Sequence, residues 1–101
     1  MAERKTVLVT GANKGIGYEI VKALLQSSRR YHVLIGSRSL ERGQEAAEKL
    51  RAECADTSST VEPLQLDVSD DSSVEKAFET VKTSIGHIDA LVNNAGIQHP
   101  P

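Results

Sequence analysis

At 101 residues the chain holds one domain at most, and its 39% hydrophobic and 26% charged residues exclude a disordered polymer. Only 3% of the residues are aromatic, so the core must be built from Val, Ile, Leu and Ala, a composition that suits parallel strands packed between helices. A formal charge of −2 offers no attraction for nucleic acid or an anionic membrane. No apolar run reaches bilayer-spanning or signal-peptide length either, so neither is expected as a partner.

Strands and helices alternate along the whole chain. Lys5-Thr6-Val7-Leu8-Val9-Thr10 is a short β-branched run ending at Gly11, the pattern of a buried strand entering a turn. Ile16, Ile20, Val21, Leu24 and Leu25 then recur at helical spacing until Ser27-Ser28-Arg29-Arg30 interrupts them. His32-Val33-Leu34-Ile35-Gly36 reads as a second strand. Ser39 is a candidate N-cap for a second helix through Ala46, Ala47 and Leu50, with Glu45 and Lys49 paired one turn apart. Cys54 to Thr60 is small, polar and loop-like. Val61 to Leu66 reads as a third strand, broken early by Pro63 and followed by Asp67-Val68. Ser69-Asp70-Asp71-Ser72 is rich in capping residues and opens a third helix. Its apolar face is Val74, Ala77, Phe78, Val81 and Ile85, and Gly86 closes it at C′. Ala90-Leu91-Val92 is a fourth strand leading into Asn93-Asn94-Ala95-Gly96. This alternation implies right-handed βαβ units and a parallel sheet covered by helices, an α/β fold. The single cysteine, Cys54, forms no intrachain disulfide, so a reducing, cytoplasmic setting is expected. The three histidines lie far apart without ligand spacing, so no metal is expected.

The segment Thr10-Gly11-Ala12-Asn13-Lys14-Gly15-Ile16-Gly17 lies between a strand and an amphipathic helix, the setting in which a glycine-rich loop binds phosphates. Gly11 lets the chain turn sharply off the strand. Missing side chains let a pyrophosphate approach free N–H groups and the positive end of the helix dipole. Gly17, on the first helical turn, permits close packing of helix on sheet. Three glycines alone also fit an ordinary turn; the flanking strand and helix favour the phosphate loop. No Gly-Lys-Ser/Thr follows, so phosphoryl transfer is not expected.

The spacing Gly-x-x-x-Gly-x-Gly is similar to the signature of the short-chain dehydrogenase/reductase superfamily. Asp67-Val68, and the run Gly86-His87-Ile88-Asp89-Ala90-Leu91-Val92-Asn93-Asn94-Ala95-Gly96, resemble two further segments of that family in the same order. The glycine loop together with Arg42-Gly43-Gln44 also resembles the carbonyl-reductase branch. The resemblance implies a Rossmann-type, doubly wound parallel sheet, with residues 1–101 forming its N-terminal part in strand order 3-2-1-4. It implies that Gly11, Asn13, Lys14, Gly15, Ile16 and Gly17 line the pyrophosphate and adenosine ribose of a nicotinamide dinucleotide. By the same resemblance Asp67 and Val68 flank the adenine, and Asn94, Ala95 and Gly96 approach the ribose, while Asn93 braces the sheet.

A site for NAD usually places an acidic residue at the end of the second strand, where this chain reads Gly36-Ser37-Arg38-Ser39. Arg38 can bond a 2′-phosphate that a carboxylate would repel, and Lys14 adds a second positive charge, so NADP(H) is the expected cofactor. The family resemblance also implies a catalytic Ser with a Tyr-x-x-x-Lys pair. Tyr18-Glu19-Ile20-Val21-Lys22 matches the spacing but follows the glycine loop directly, where it serves the phosphates' helix and not the nicotinamide. It is read as a pair of helix-surface residues. No catalytic residue is expected within these 101 positions, and the chain reads as the cofactor half of an oxidoreductase acting on a carbonyl or alcohol, truncated before its catalytic segment. The other class of reading is a non-catalytic NADP-binding sensor or regulatory module. Neither the substrate's identity nor the oligomeric state is written in these segments.

Overall fold

A computed structural model describes residues 4–13 and 15–94; the expectations placed on Lys14, Ala95 and Gly96 lie outside the described residues. The elements are β1 (Lys5–Thr10), α1 (Gly15–Gln26), β2 (Tyr31–Ser37), α2 (Leu40–Glu53), β3 (Thr60–Gln65), α3 (Asp71–Ser84) and β4 (Ala90–Val92). The four strands form one parallel sheet in the order β3-β2-β1-β4, as the family resemblance implies. Register aligns Val7, Val33 and Val61 across three strands, with Val9 beside Ile35.

Because successive strand residues point to opposite faces, each strand supplies two cores. Val7, Val9, Val33 and Ile35 pack with Ala12, Val21, Leu25, Ala47 and Leu50 under α1 and α2. On the other face Leu8, Leu34, Leu64 and Leu66 meet Ala77 and Val81 of α3. The chain changes faces in the β3–α3–β4 crossover, which also carries it from one end of the sheet to the other side of β1. The order of connection therefore reverses between β1 and β4, and in open α/β sheets the crevice at the strands' carboxyl ends beside such a reversal is where ligands bind.

The helices begin where capping chemistry predicts. The Ser39 hydroxyl accepts the Arg42 N–H at 3.3 Å, and the Asp70 carboxylate accepts the Ser72 N–H at 3.0 Å. At the end of α3, Gly86 takes φ +107° and donates its N–H to the Val81 carbonyl at 2.7 Å, closing the helix as read.

Four expectations need correction. Pro63 does not break β3. It sits opposite Ile35 inside a continuous strand, and β3 lies at the end of the sheet, where a residue without an N–H is tolerated. Phe78 is not part of the buried face of α3 but 51% exposed, because the buried stripe runs through Ala77 and Val81 and leaves Phe78 on its margin. Lys49 does not turn to Glu45; its ammonium lies 5.2 Å from the centre of the Tyr18 ring, a cation–π contact across the two helices. Tyr18 is not a surface residue: it is buried between α1 and α2.

Candidate dinucleotide site

The glycine loop leaves the carboxyl end of β1 at the expected place. Gly11 has φ +61° and Gly15 φ +64°, values that disfavour any residue with a Cβ. Between them Ala12 is fully buried and donates its N–H to the Gly36 carbonyl at 3.2 Å, tying the loop to the end of β2. A Cβ built on Gly15 would have no atom within 4 Å, so the approach to the start of α1 is open. The first turn of α1 contains no acidic residue, and its leading N–H groups have no acceptor within the helix. An anion meets exposed donors and a favourable dipole there, with no carboxylate in that first turn to oppose it. Ile16, 70% exposed, stands at the mouth of this opening, and Asn13 is half-buried beside it.

The end of β4 closes the other side. The Thr10 hydroxyl donates to Asn93 Oδ1 at 3.2 Å, so Asn93 braces β4 against β1. The Asn94 amide donates to the Gly11 carbonyl at 3.2 Å, a bond the sequence reading did not foresee. The Asn94–Gly11 contact lies against Gly17, which is buried. A Cβ there would lie 2.6 Å from the Gly11 oxygen, 2.7 Å from Asn94 Nδ2 and 2.9 Å from Ala12 Cα. The glycine is required by close approach of three segments, not by backbone dihedral.

Ser37, Arg38 and Ser39 emerge at the end of β2 with Arg38 exposed, and Asp67 and Val68 emerge at the end of β3 with Val68 44% exposed. The Leu66 N–H donates to the Ser37 carbonyl at 2.8 Å and carries the β2–β3 pairing into this rim. The Asp67 carboxylate accepts the Ser69 hydroxyl at 2.6 Å and the Ser69 N–H at 3.0 Å. These bonds, with a further contribution from the Arg38 charge, hold its pKa below the ordinary carboxylate value. An open groove of about 1060 Å³ starts at Asn13, Gly15 and Ile16 and runs outward between α1 and α2, with Arg42, Glu45 and Lys49 on its far wall. It begins at the glycine loop but extends over the helices and not over the strand ends, so the chemistry of the site is set by its inner end. Arg42, named in the sequence only for the Arg42-Gly43-Gln44 resemblance and given no place at the site, lines this groove, and its position one turn beyond Arg38 was a usable signal.

The Tyr18–Lys22 pair has a structural explanation. The Tyr18 hydroxyl donates to Glu53 Oε1 at 2.6 Å, and Lys22 Nζ lies 3.9 Å from the same oxygen, so the trio joins α1 to the end of α2. Burial first, and then the bond to Glu53, push the tyrosine hydroxyl well above its ordinary pKa, opposite to what proton transfer near neutrality requires.

Residues 5–101 match the family model described as short chain dehydrogenase. The chain belongs to the short-chain dehydrogenase family. It is 45% identical over 97 residues to the short-chain dehydrogenase/reductase tropE of Talaromyces stipitatus, covering 96% of this chain and 36% of that protein. In solved structures it is similar to L-sorbose reductase of Gluconobacter frateurii complexed with NADPH and L-sorbose, with a TM-score of 0.80 and 29% identity over 99% of this chain and 36% of that one. It is also similar to alcohol dehydrogenase of Thermococcus sibiricus complexed with 5-hydroxy-NADP, with a TM-score of 0.73 and 34% identity over 88% of this chain and 36% of that one. The chain thus spans about a third of the length of the relatives it matches. In this short-chain dehydrogenase sequence, four strand ends converge on one rim: the glycine loop, Arg38, Asp67-Val68 and Asn93-Asn94. Among the described residues no helix is long and apolar enough to cross a membrane.

Proposed function

We propose that this chain holds the adenosine and pyrophosphate portion of NADP(H) in an oxidoreductase that interconverts a carbonyl and an alcohol. The observation that carries the reading is the exposed Arg38 at the end of β2, in a rim segment, Gly36–Ser39, that contains no carboxylate. In this reading Gly11, Asn13, Gly15, Ile16 and Gly17 receive the pyrophosphate through backbone donors at the start of α1, with Lys14 beside them. Arg38 bonds the 2′-phosphate, and Arg42, one turn further along the chain, adds positive charge to the wall of the groove. Asp67 and Val68 flank the adenine, and Asn94, Ala95 and Gly96 approach the ribose. The bound dinucleotide supplies the hydride; the residues of this chain bind and orient its adenosine half. The relatives' names as reductases and dehydrogenases, and the NADP-type ligands in two solved structures, support an enzymatic reading over a sensor.

The test is a titration of NADPH and NADH against the wild type and Arg38→Ala. A hydrogen bond to a charged group contributes about 1.5–3 kcal/mol, so NADPH affinity is expected to fall about tenfold or more while NADH affinity hardly changes. Equal losses for the two cofactors would sink the proposal.

A further inference from the structure

The main chain that carries Arg38 is fixed by Gln65, which bonds it directly, and by Ser37 and Ser39 on either side, none of which has a part in the phosphate contact itself. Ser37, the last residue of β2, is 3% exposed, and its hydroxyl donates to the Ser39 carbonyl at 2.9 Å, closing a short loop of main chain around Arg38. Gln65, the last residue of β3, reaches across with its side-chain amide to the Arg38 carbonyl at 3.4 Å. Ser39 is fixed in turn because its own hydroxyl caps α2. The Ser37 hydroxyl adds nothing to the strand ladder, which uses main-chain groups, or to the helix cap, which uses Ser39. Its effect is confined to the turn that carries Arg38. A long side chain delivers a guanidinium to a fixed point only when its Cα is fixed, and otherwise loses contact strength to conformational entropy.

We infer that Ser37 and Gln65 are positioning residues that aim Arg38 at the 2′-phosphate and so set the preference for phosphorylated over unphosphorylated dinucleotide. The inference rests on the reading of Arg38 given above. It is tested by calorimetric titration of the full chain with adenosine 2′,5′-bisphosphate and with AMP, two probes that differ only in the 2′-phosphate. Ser37→Ala is expected to weaken the bisphosphate about two- to tenfold, the worth of one intramolecular hydrogen bond, and to leave AMP unchanged. Gln65→Leu is expected to act in the same direction by a smaller factor. A merely structural role lowers both affinities together, and an unchanged ratio in both variants overturns the inference. Arg38→Ala separates the two levels. If it abolishes the preference while Ser37→Ala and Gln65→Leu do not shift it, the inference alone fails. If it leaves the preference intact, the reading of Arg38 fails and takes the inference with it. Should Ser37→Ala not fold, Gln65→Leu decides the matter, because Gln65 is exposed at the edge of the sheet and outside both cores.

Discussion

Replacing Gly17 by Ala tests the packing of the site most directly. The new Cβ would sit 2.6 Å from the Gly11 oxygen, 2.7 Å from Asn94 Nδ2 and 2.9 Å from Ala12 Cα, and two of those three atoms are backbone. Overpacking of this kind costs about 1–3 kcal/mol, and pushing Asn94 aside also breaks its bond to Gly11, worth about 0.5–1.5 kcal/mol. Alanine in place of glycine returns up to about 1 kcal/mol of helix propensity. The balance is a net loss of about 1–3 kcal/mol, which moves a urea midpoint down by about 1 M for a domain of this size. The control is Gly43→Ala, where the nearest atoms to a new Cβ are the Pro63 Cβ at 3.2 Å and the Ser37 Cβ at 3.4 Å. Those side-chain atoms need give only slightly, so Gly43→Ala should stay within about 1 kcal/mol of wild type once the propensity gain is counted. Urea unfolding followed by circular dichroism measures both. Adding Asn94→Ala to Gly17→Ala should not restore stability, since the main-chain contacts persist. If Gly17→Ala is as stable as Gly43→Ala, three segments do not converge at Gly17 as described.

Tyr18→Phe, measured in the intact oxidoreductase, should leave turnover within about a factor of two, whereas a catalytic proton donor would cost about 10²–10⁴-fold; its thermal midpoint should fall because the bond to Glu53 is lost. The Asp89 carboxylate accepts the Thr6 N–H at 2.7 Å, which chiefly holds its pKa below the ordinary value. Its stabilisation is therefore complete above the unfolded carboxylate pKa of about 3.9 and lost as pH falls through the lower folded value. Asp89→Asn should accordingly show a smaller drop in urea midpoint between pH 7 and pH 3 than wild type does; an equal drop would exclude Asp89 as a source of acid sensitivity. Among the described residues β4 has no neighbour on its outer side, and Leu91 there is 55% exposed. An uncharged open edge invites pairing with another chain, so the 101-residue chain should self-associate on size-exclusion chromatography and Leu91→Lys should shift it toward monomer.

Local patterns carried the fold. The β-branched run ending at Gly11 gave β1 its limits, the apolar run Ala90-Leu91-Val92 gave β4, and Ser39 and Gly86 marked helix ends that the structure keeps. The exceptions all depend on distant neighbours. Pro63 is harmless because β3 is the outermost strand, a fact of topology that no local pattern carries. Periodicity names the apolar side of a helix but not the width of the surface it meets, so Phe78 was counted as buried and Tyr18 as exposed. The phosphate loop was legible from its own spacing. The bond from Asn94 to Gly11 spans 83 positions, and that from Ser37 to Ser39 depends on how β2 hands the chain to α2, so neither leaves a signature in sequence.

The unequal faces of the sheet bear on how the molecule opens. One face is sealed by two helices over β1, β2 and β3, while the other has α3 alone, and β4 is a three-residue strand bonded on one side among the described residues. Amide hydrogen exchange should therefore divide the chain into two cooperative units, with β1, β2, α1 and α2 protected longest and α3 with β4 opening at lower free energy. The glycine loop belongs to the durable unit and Asn94 to the labile one. A dinucleotide that touches both ties the second to the first, and slower exchange across α3 and β4 would be the mark of its binding.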